Sequence, residues 1–233
     1  AAKLALVTPS HQFPFGSVMT LQRRRMLLAW AQEHRTVILE DDYDGEFRYE
    51  NKPIPSLQSL DTSGLVIYVG SASKMLFPSL RLGWMVVPKS MVTMIEKLRS
   101  LSGSGGAVLE QVAFARFVAE GHLERHIHKV RRRHQERRQV LLEVLNQELG
   151  NEVLVTGTDA GIHVLVRLLK VRGEKTETLI RLAEEQNVGV YSAALYYSKP
   201  PQQAELLLGY ASLTPQQIRV GVKRLAEVLR SFN

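Results

Sequence analysis

Lys74 lies in the string Val69-Gly70-Ser71-Ala72-Ser73-Lys74, and Arg81 follows seven positions later. A second polar cluster, Leu39-Glu40-Asp41-Asp42-Tyr43, puts Asp41 33 residues upstream of that lysine. A lysine flanked by hydroxyls and followed by an arginine, with an acid–tyrosine pair, offers what a phosphorylated pyridine aldehyde requires. The amine condenses with the aldehyde. Arginine and the hydroxyls of Ser71 and Ser73 suit a phosphate dianion. One of the two carboxylates at the ring nitrogen keeps the ring cationic, and so a good electron sink. The Tyr43 phenol reaches the ring oxygen. Each residue alone has a plainer reading: a solvated lysine, aspartates that cap a helix or close a turn, and a tyrosine that simply packs.

These groups need elements to hold them. Leu4–Val7 is a short apolar run stopped by Thr8-Pro9, and Leu21–Gln32 has helical periodicity. Val37-Ile38-Leu39 reads as a buried strand ending in the acidic cluster. Val66–Val69 is a third strand ending at Gly70, and Leu82–Val87 a fourth closed by Pro88. Such alternation predicts an α/β fold with a mostly parallel sheet. Ligands bind such sheets at the carboxyl ends of the strands, so the acids and the lysine fall on one rim.

Residues 91–149 read as mainly helical, interrupted by Ser102-Gly103-Ser104-Gly105-Gly106, and 120–149 reads as one long helix. From Glu152 the pattern changes to strands at Val153–Val155, Ile162–Leu168, Val188–Tyr191 and Leu206–Tyr210, with a helix over Thr176–Gln186. A last helix begins with Thr214 as N-cap and Pro215 at its first position. The expected organisation is a large-domain remainder over 1–120, a linking helix over 121–150 and a small α+β lobe over 151–233.

With 233 residues and 45% hydrophobic content the chain can bury a core. It has no cysteine, which excludes disulfides, thiolate chemistry and Cys-based metal sites. No apolar run approaches the ~18 residues of a membrane span, so a soluble cytoplasmic protein is expected. The opening Ala-Ala-Lys-Leu-Ala-Leu-Val-Thr-Pro reads as the interior of a fold, and a fragment is expected. The formal charge of +7 is concentrated in His122–Arg138, with Arg125, Lys129, Arg131, Arg132, Arg133, Arg137 and Arg138. That run suits either a nucleic-acid surface or the solvated face of an amphipathic helix. No aromatic residue is interleaved for base stacking, which favours the helix face.

The strings Thr8-Pro9-Ser10-His11-Gln12-Phe13-Pro14, Glu40 through Tyr49, and Ser71-Ala72-Ser73-Lys74 with Pro78-Ser79-Leu80-Arg81-Leu82-Gly83-Trp84 closely resemble the MocR/GabR-type bacterial transcription regulators. Those proteins join a winged-helix DNA-binding domain to an aminotransferase-like domain of the pyridoxal phosphate (PLP) fold type I. The resemblance covers essentially the whole chain, all within the aminotransferase-like part. It implies PLP held as an imine on Lys74, with Asp41 at the ring nitrogen, Tyr43 at the ring oxygen, and Ser71, Ser73 and Arg81 on the phosphate. It implies further residues ahead of Ala1, DNA contact only through a domain outside this chain, and a homodimer. The sensed molecule would be a small amine, an amino acid, an amino-terminal peptide or PLP itself.

Two positions depart from aminotransferases. Phe13 fills the slot where they carry an asparagine before Pro-x-Gly, with Gln12 or His11 as stand-ins. Ser212 stands where they carry the arginine that grips the substrate carboxylate. The resemblance therefore implies an effector-binding domain, with an active PLP-dependent aminotransferase as the alternative.

Overall fold

The computed structural model describes residues 2–49, 54–102 and 107–232. They form two compact units. The first takes in residues 2–12, 17–46, 54–102 and 107–130, the second residues 13–16, 47–49 and 131–232.

The first unit is built on a four-stranded sheet in the order β1-β2-β3-β4. Its strands are β1 (Leu4–Val7), β2 (Val37–Asp42), β3 (Val66–Ser71) and β4 (Gly83–Val86). β1, β2 and β3 run parallel, and β4 is antiparallel to β3. Between β1 and β2 lies helix α1 (Leu21–His34), capped by Thr20, whose Oγ1 accepts from the Arg23 N–H at 3.3 Å. The short α2 (Leu57–Leu60) precedes β3. The expected parallel sheet is present, and the one antiparallel strand follows from the short β3–β4 connection, which holds no crossover helix. β2 runs three residues and β3 two beyond their apolar runs, because Glu40, Asp41, Asp42, Gly70 and Ser71 continue the ladders.

A small core of Ala31, Ile38, Leu57 and Val66 holds α1 and α2 to this sheet. Helices α3 (Val92–Leu101) and α4 (Val108–Ala119) bury no residue fully. The interruption expected at 103–106 lies outside the described residues.

α5 (His122–Leu149) is the long helix expected over 120–149, starting two residues later. Its residues to Val130 count with the first unit and the rest with the second. The second unit's sheet has the order β5-β6-β8-β7, all antiparallel: β5 (Val153–Thr156), β6 (His163–Arg172), β7 (Tyr191–Ser192) and β8 (Gln203–Gly209). The strand expected over Val188–Tyr191 shrinks to β7, although Val188 and Val190 are still buried. Helices α6 (Thr176–Glu185) and α7 (Pro215–Phe232) complete it. Leu145, Val164, Val166, Leu179, Leu206 and Leu225, none more than 1% exposed, sit at the centre of its large apolar core. α7 starts as expected: the Gln217 N–H donates to Thr214 Oγ1 at 3.2 Å, and the Thr214 N–H to Gln217 Oε1 at 2.8 Å. That reciprocal pair is a capping box.

The basic run on α5 divides. Arg125, Lys129, Arg132 and Arg133 are exposed, as a solvated face requires. Arg138 is buried instead, bonds the Thr158 carbonyl through Nε and covers the Tyr49 ring at 5.5 Å. Among the described residues no helix is long and apolar enough to cross a membrane.

Candidate functional site

Parallel pairing brings the end of β2, which carries Asp41, beside the end of β3, which carries Ser71. Asp41 on β2 is registered with Val69 on β3, and Asp42 with Gly70. Side chains alternate across a strand, so Asp41, Val69 and Ser71 share one face of the sheet. Asp42, Tyr68 and Gly70 share the other.

That second face is closed. Tyr68 Oη donates to Asp42 Oδ2 at 3.0 Å, and Ser10 also bonds this carboxylate. Gly70 has to be a glycine here: the Trp84 ring on β4 lies over it, and a Cβ would come within 2.3 Å of the indole. A second close approach occurs at Gly45, where a Cβ would sit 2.3 Å from Asp42 Oδ1. Burial, first of all, raises the Asp42 pKa, and the Tyr68 bond acts against that rise.

Asp41 is half-buried, and its pKa is raised by burial and then by the charges of Asp42 and Asp44. Among the described residues no cation pairs with it. It is a carboxylate at a strand end, facing away from its neighbours' bonds, in a field that favours a positive or proton-donating partner.

Lys74 lies in the turn that leaves β3. The turn is pinned on both sides of it. Ala72 is fully buried and gives its N–H to the Leu82 carbonyl at 3.0 Å. Met75 is 2% exposed, and its carbonyl lies 2.9 Å from His126 Nε2 at the start of α5. Lys74 itself is exposed. Buried neighbours thus fix the backbone while the amine is left accessible. Ser71 Oγ accepts from the Ser73 N–H at 3.2 Å, which folds the two hydroxyl residues into one tight loop. Arg81 ends the 3-10 turn Pro78–Leu80 at φ 51°, in the left-handed region, with its side chain exposed. Non-glycine residues adopt that backbone only where the surroundings enforce it, and such positions concentrate at functional sites.

Tyr43 follows β2 and is half-buried; burial, then the charges of Asp44 and Asp41, raise its pKa and keep the phenol protonated. Its Oη lies 3.2 Å from His11 Nδ1, and that nitrogen lies 2.8 Å from Asp44 Oδ2. His11 and Asp44 are each 1% exposed.

Beneath the rim, Arg24 is fully buried inside α1 and donates to the carbonyls of Met19 at 3.1 Å, Pro55 at 2.9 Å and Pro9 at 2.8 Å. Its Nη1 is 3.8 Å from Glu40 Oε1. Glu40 in turn accepts the N–H groups of Leu57 and Gln58, both at 2.9 Å, at the start of α2. Sequence reasoning missed Arg24, Glu40 and Asp44. The first reads as one more charge on an amphipathic helix, and its partners are carbonyls, which no sequence pattern announces. In the second unit, Ser212 lies in an exposed turn after β8.

The described residues hold no cluster of His, Cys, Asp or Glu that could bind a metal ion.

The family model described as aminotransferase class I and II matches residues 2–225. The chain is 43% identical over 222 residues to the uncharacterized HTH-type transcriptional regulator YhdI of Bacillus subtilis, covering 95% of this chain and 47% of that protein. It is 36% identical over 223 residues to the probable rhizopine catabolism regulatory protein MocR of Rhizobium meliloti, covering 96% of this chain and 45% of that one. Among solved structures, the kynurenine aminotransferase of Pyrococcus horikoshii, crystallised in complex with PMP, superposes with a TM-score of 0.87 at 30% identity. That superposition covers 99% of this chain and 56% of the other. The chain therefore spans about half the length of the relatives it matches.

Proposed function

We propose, from the premise that the chain belongs to the aminotransferase class I and II family, that it is the cofactor-holding, effector-sensing part of a PLP-dependent transcription regulator. The observation that carries this reading is the register of β2 and β3, with a half-buried carboxylate that has no cation partner among the described residues at one strand end and an accessible lysine in the turn after the next. When bound, PLP supplies an electrophilic aldehyde on an electron-withdrawing ring.

The residues present fit that group. Lys74 Nζ is the amine offered to it, steadied by the buried Ala72 and Met75. Asp41 takes the ring nitrogen and holds a proton there, which relieves a carboxylate whose pKa burial and two neighbouring acids raise. Tyr43 Oη donates to the ring oxygen. The hydroxyls of Ser71 and Ser73 and the guanidinium of Arg81 hold the phosphate. Residues 1–120 carry this site, 121–150 link, and 151–233 form the small lobe. The sensed molecule presents a primary amine that competes with Lys74 Nζ: a small amine, an amino acid or a peptide amino terminus, with PLP itself as the other candidate signal. DNA is contacted through an HTH domain outside this chain, in a cytoplasmic homodimer.

Sensing is favoured over turnover by two facts. The regulators match at 43% and 36% identity, the aminotransferase structure at 30%. Residues 203–214, which form β8 and the turn after it, contain no arginine or lysine to grip a substrate carboxylate, and Ser212 is among them. Losing one such charge-assisted pair removes roughly 1.5–3 kcal/mol of ligand binding. The aminotransferase reading keeps the support of the fold itself, at a TM-score of 0.87.

Adding PLP to the full-length protein should give a visible absorbance band that Lys74→Ala abolishes; an unchanged band in that variant sinks the proposal. Amino acids should then perturb the band without catalytic turnover when a keto acid is supplied. Sustained turnover would favour the enzyme.

A further inference from the structure

We propose that His11, clamped by Asp44, is a positioning residue that turns the Tyr43 hydroxyl into a donor aimed away from the protein and into the site. The inference rests on the cofactor reading above and adds a residue to it.

The geometry turns on a single atom. His11 Nδ1 lies 2.8 Å from Asp44 Oδ2 and 3.2 Å from Tyr43 Oη. An ionised carboxylate only accepts hydrogen bonds, so the short contact to Asp44 puts the proton on Nδ1. One nitrogen that donates cannot also accept. Tyr43 Oη therefore receives from Nδ1–H, and its own hydrogen has to be given elsewhere. A doubly protonated imidazole leads to the same result, because Nδ1 remains a donor.

The charges around the phenol make this matter. After burial, Asp44, Asp41 and Asp42 all raise the Tyr43 pKa, and a hydrogen bond from the phenol to Asp44 is among the causes, so Asp44 competes with a ligand for that hydrogen. Asp44 is nearly solvent-free, so it seeks a donor strongly. His11 supplies that donor. Without it, the Tyr43 hydrogen goes to Asp44 and is lost to any ligand. The 33 residues between His11 and Asp44 bring the end of the β1 strand-loop to the end of β2, so the clamp depends on the parallel pairing of those strands.

Two measurements on the full-length protein test this. The first needs no cofactor: nitrogen-15 NMR of labelled histidine, with the His11 signals assigned by their loss in His11→Asn. The expected form carries its proton on Nδ1. A neutral ring protonated only at Nε2 would reverse the Tyr43 bond and overturn the proposal. The second uses PLP as the probe and follows its visible band against pH. His11→Phe should move the midpoint of that titration upward by about one unit, the scale of one lost hydrogen bond to a charged acceptor. His11→Asn, whose amide N–H stands where Nδ1–H does, should restore most of it. In a Tyr43→Phe background, His11→Phe should add nothing; an equal shift there would mean that His11 acts by some other route. If the wild-type protein gives no band at all, the cofactor reading fails. If the tautomer is wrong, the positioning fails alone.

Discussion

The two compact units solve the problem of cohesion with different materials. The second is held by a broad apolar core that three helices and an antiparallel sheet bury together. The first has a small apolar cluster of Ala31, Ile38, Leu57 and Val66, and leaves Leu101 83% and Leu109 79% exposed on α3 and α4. What fixes its strand ends is a buried polar assembly: Arg24 with three carbonyls and Glu40, Glu40 with the first turn of α2, and Asp42 with Tyr68. Apolar packing is indifferent to direction, whereas hydrogen bonds specify it. The unit proposed to carry the site is thus the one whose strand ends are fixed by directional bonds.

Removing the hub should break the first unit hardest. Arg24→Met leaves Glu40 buried without its cation and strands three carbonyls. Losing one partner of a buried ion pair costs about 3–5 kcal/mol. The midpoint of denaturant unfolding reads this directly. Adding Glu40→Gln should recover part of the loss, because the uncompensated charge is then gone. A change within ~0.5 kcal/mol for Arg24→Met would mean that the polar hub is incidental, and the contrast between the units would lose its basis.

Much of this arrangement was legible in the chain, and the part that was not shares a cause. Val37–Leu39 and Val66–Val69 announced their strands because apolar runs ended abruptly in polar clusters, and a mostly parallel sheet then followed from the alternation of strands with the Leu21–Gln32 helix. The closing helix was legible from Thr214-Pro215. Arg24, the Asp44–His11 bond and the Trp84–Gly70 approach were not, since their partners lie 31, 33 and 14 residues away and leave no local pattern. On α5 the basic run read as a solvated face throughout. Arg138 departs from it because Thr158 and Tyr49 offer a carbonyl and a ring that only the folded chain brings near.

His134 is one of several buried polar side chains in the second unit, Arg138 and Glu205 among the others, and it sharpens the comparison through pH. It is 6% exposed, packs edge-on to Phe47 at 5.0 Å, and its Nδ1 has no hydrogen-bond partner among the described residues. Burial, then the charge of Arg137, lowers its pKa to about 4. The folded state thus prefers the neutral ring, while the unfolded chain protonates near the ordinary value of about 6.5. Stability from this residue is present above about pH 6.5. It is lost as pH falls toward about 4, by on the order of 3 kcal/mol in all. Urea unfolding at pH 7 and pH 4.5 should show this fall in the wild type, and His134→Phe should remove most of the difference. An equal fall in that variant would mean that the acid sensitivity does not come from His134.

The smallest effect probes whether directional bonds matter in the second unit at all. A reciprocal polar device at one of its helix ends is the Thr214–Gln217 box at the start of α7. Helix N-termini leave N–H groups without partners, and this box satisfies two of them. α7 also buries Ile218, Val222, Leu225, Ala226, Val228 and Leu229 in the core, so its position is already set by packing. Thr214→Ala should therefore cost only the cap, about 1 kcal/mol, and amide exchange should quicken only in the first turn of α7. A cost near that of Arg24→Met would mean that α7 is aimed by its cap and not by its apolar face. The second unit would then rely on directional bonds as the first does, and burial alone would no longer separate them.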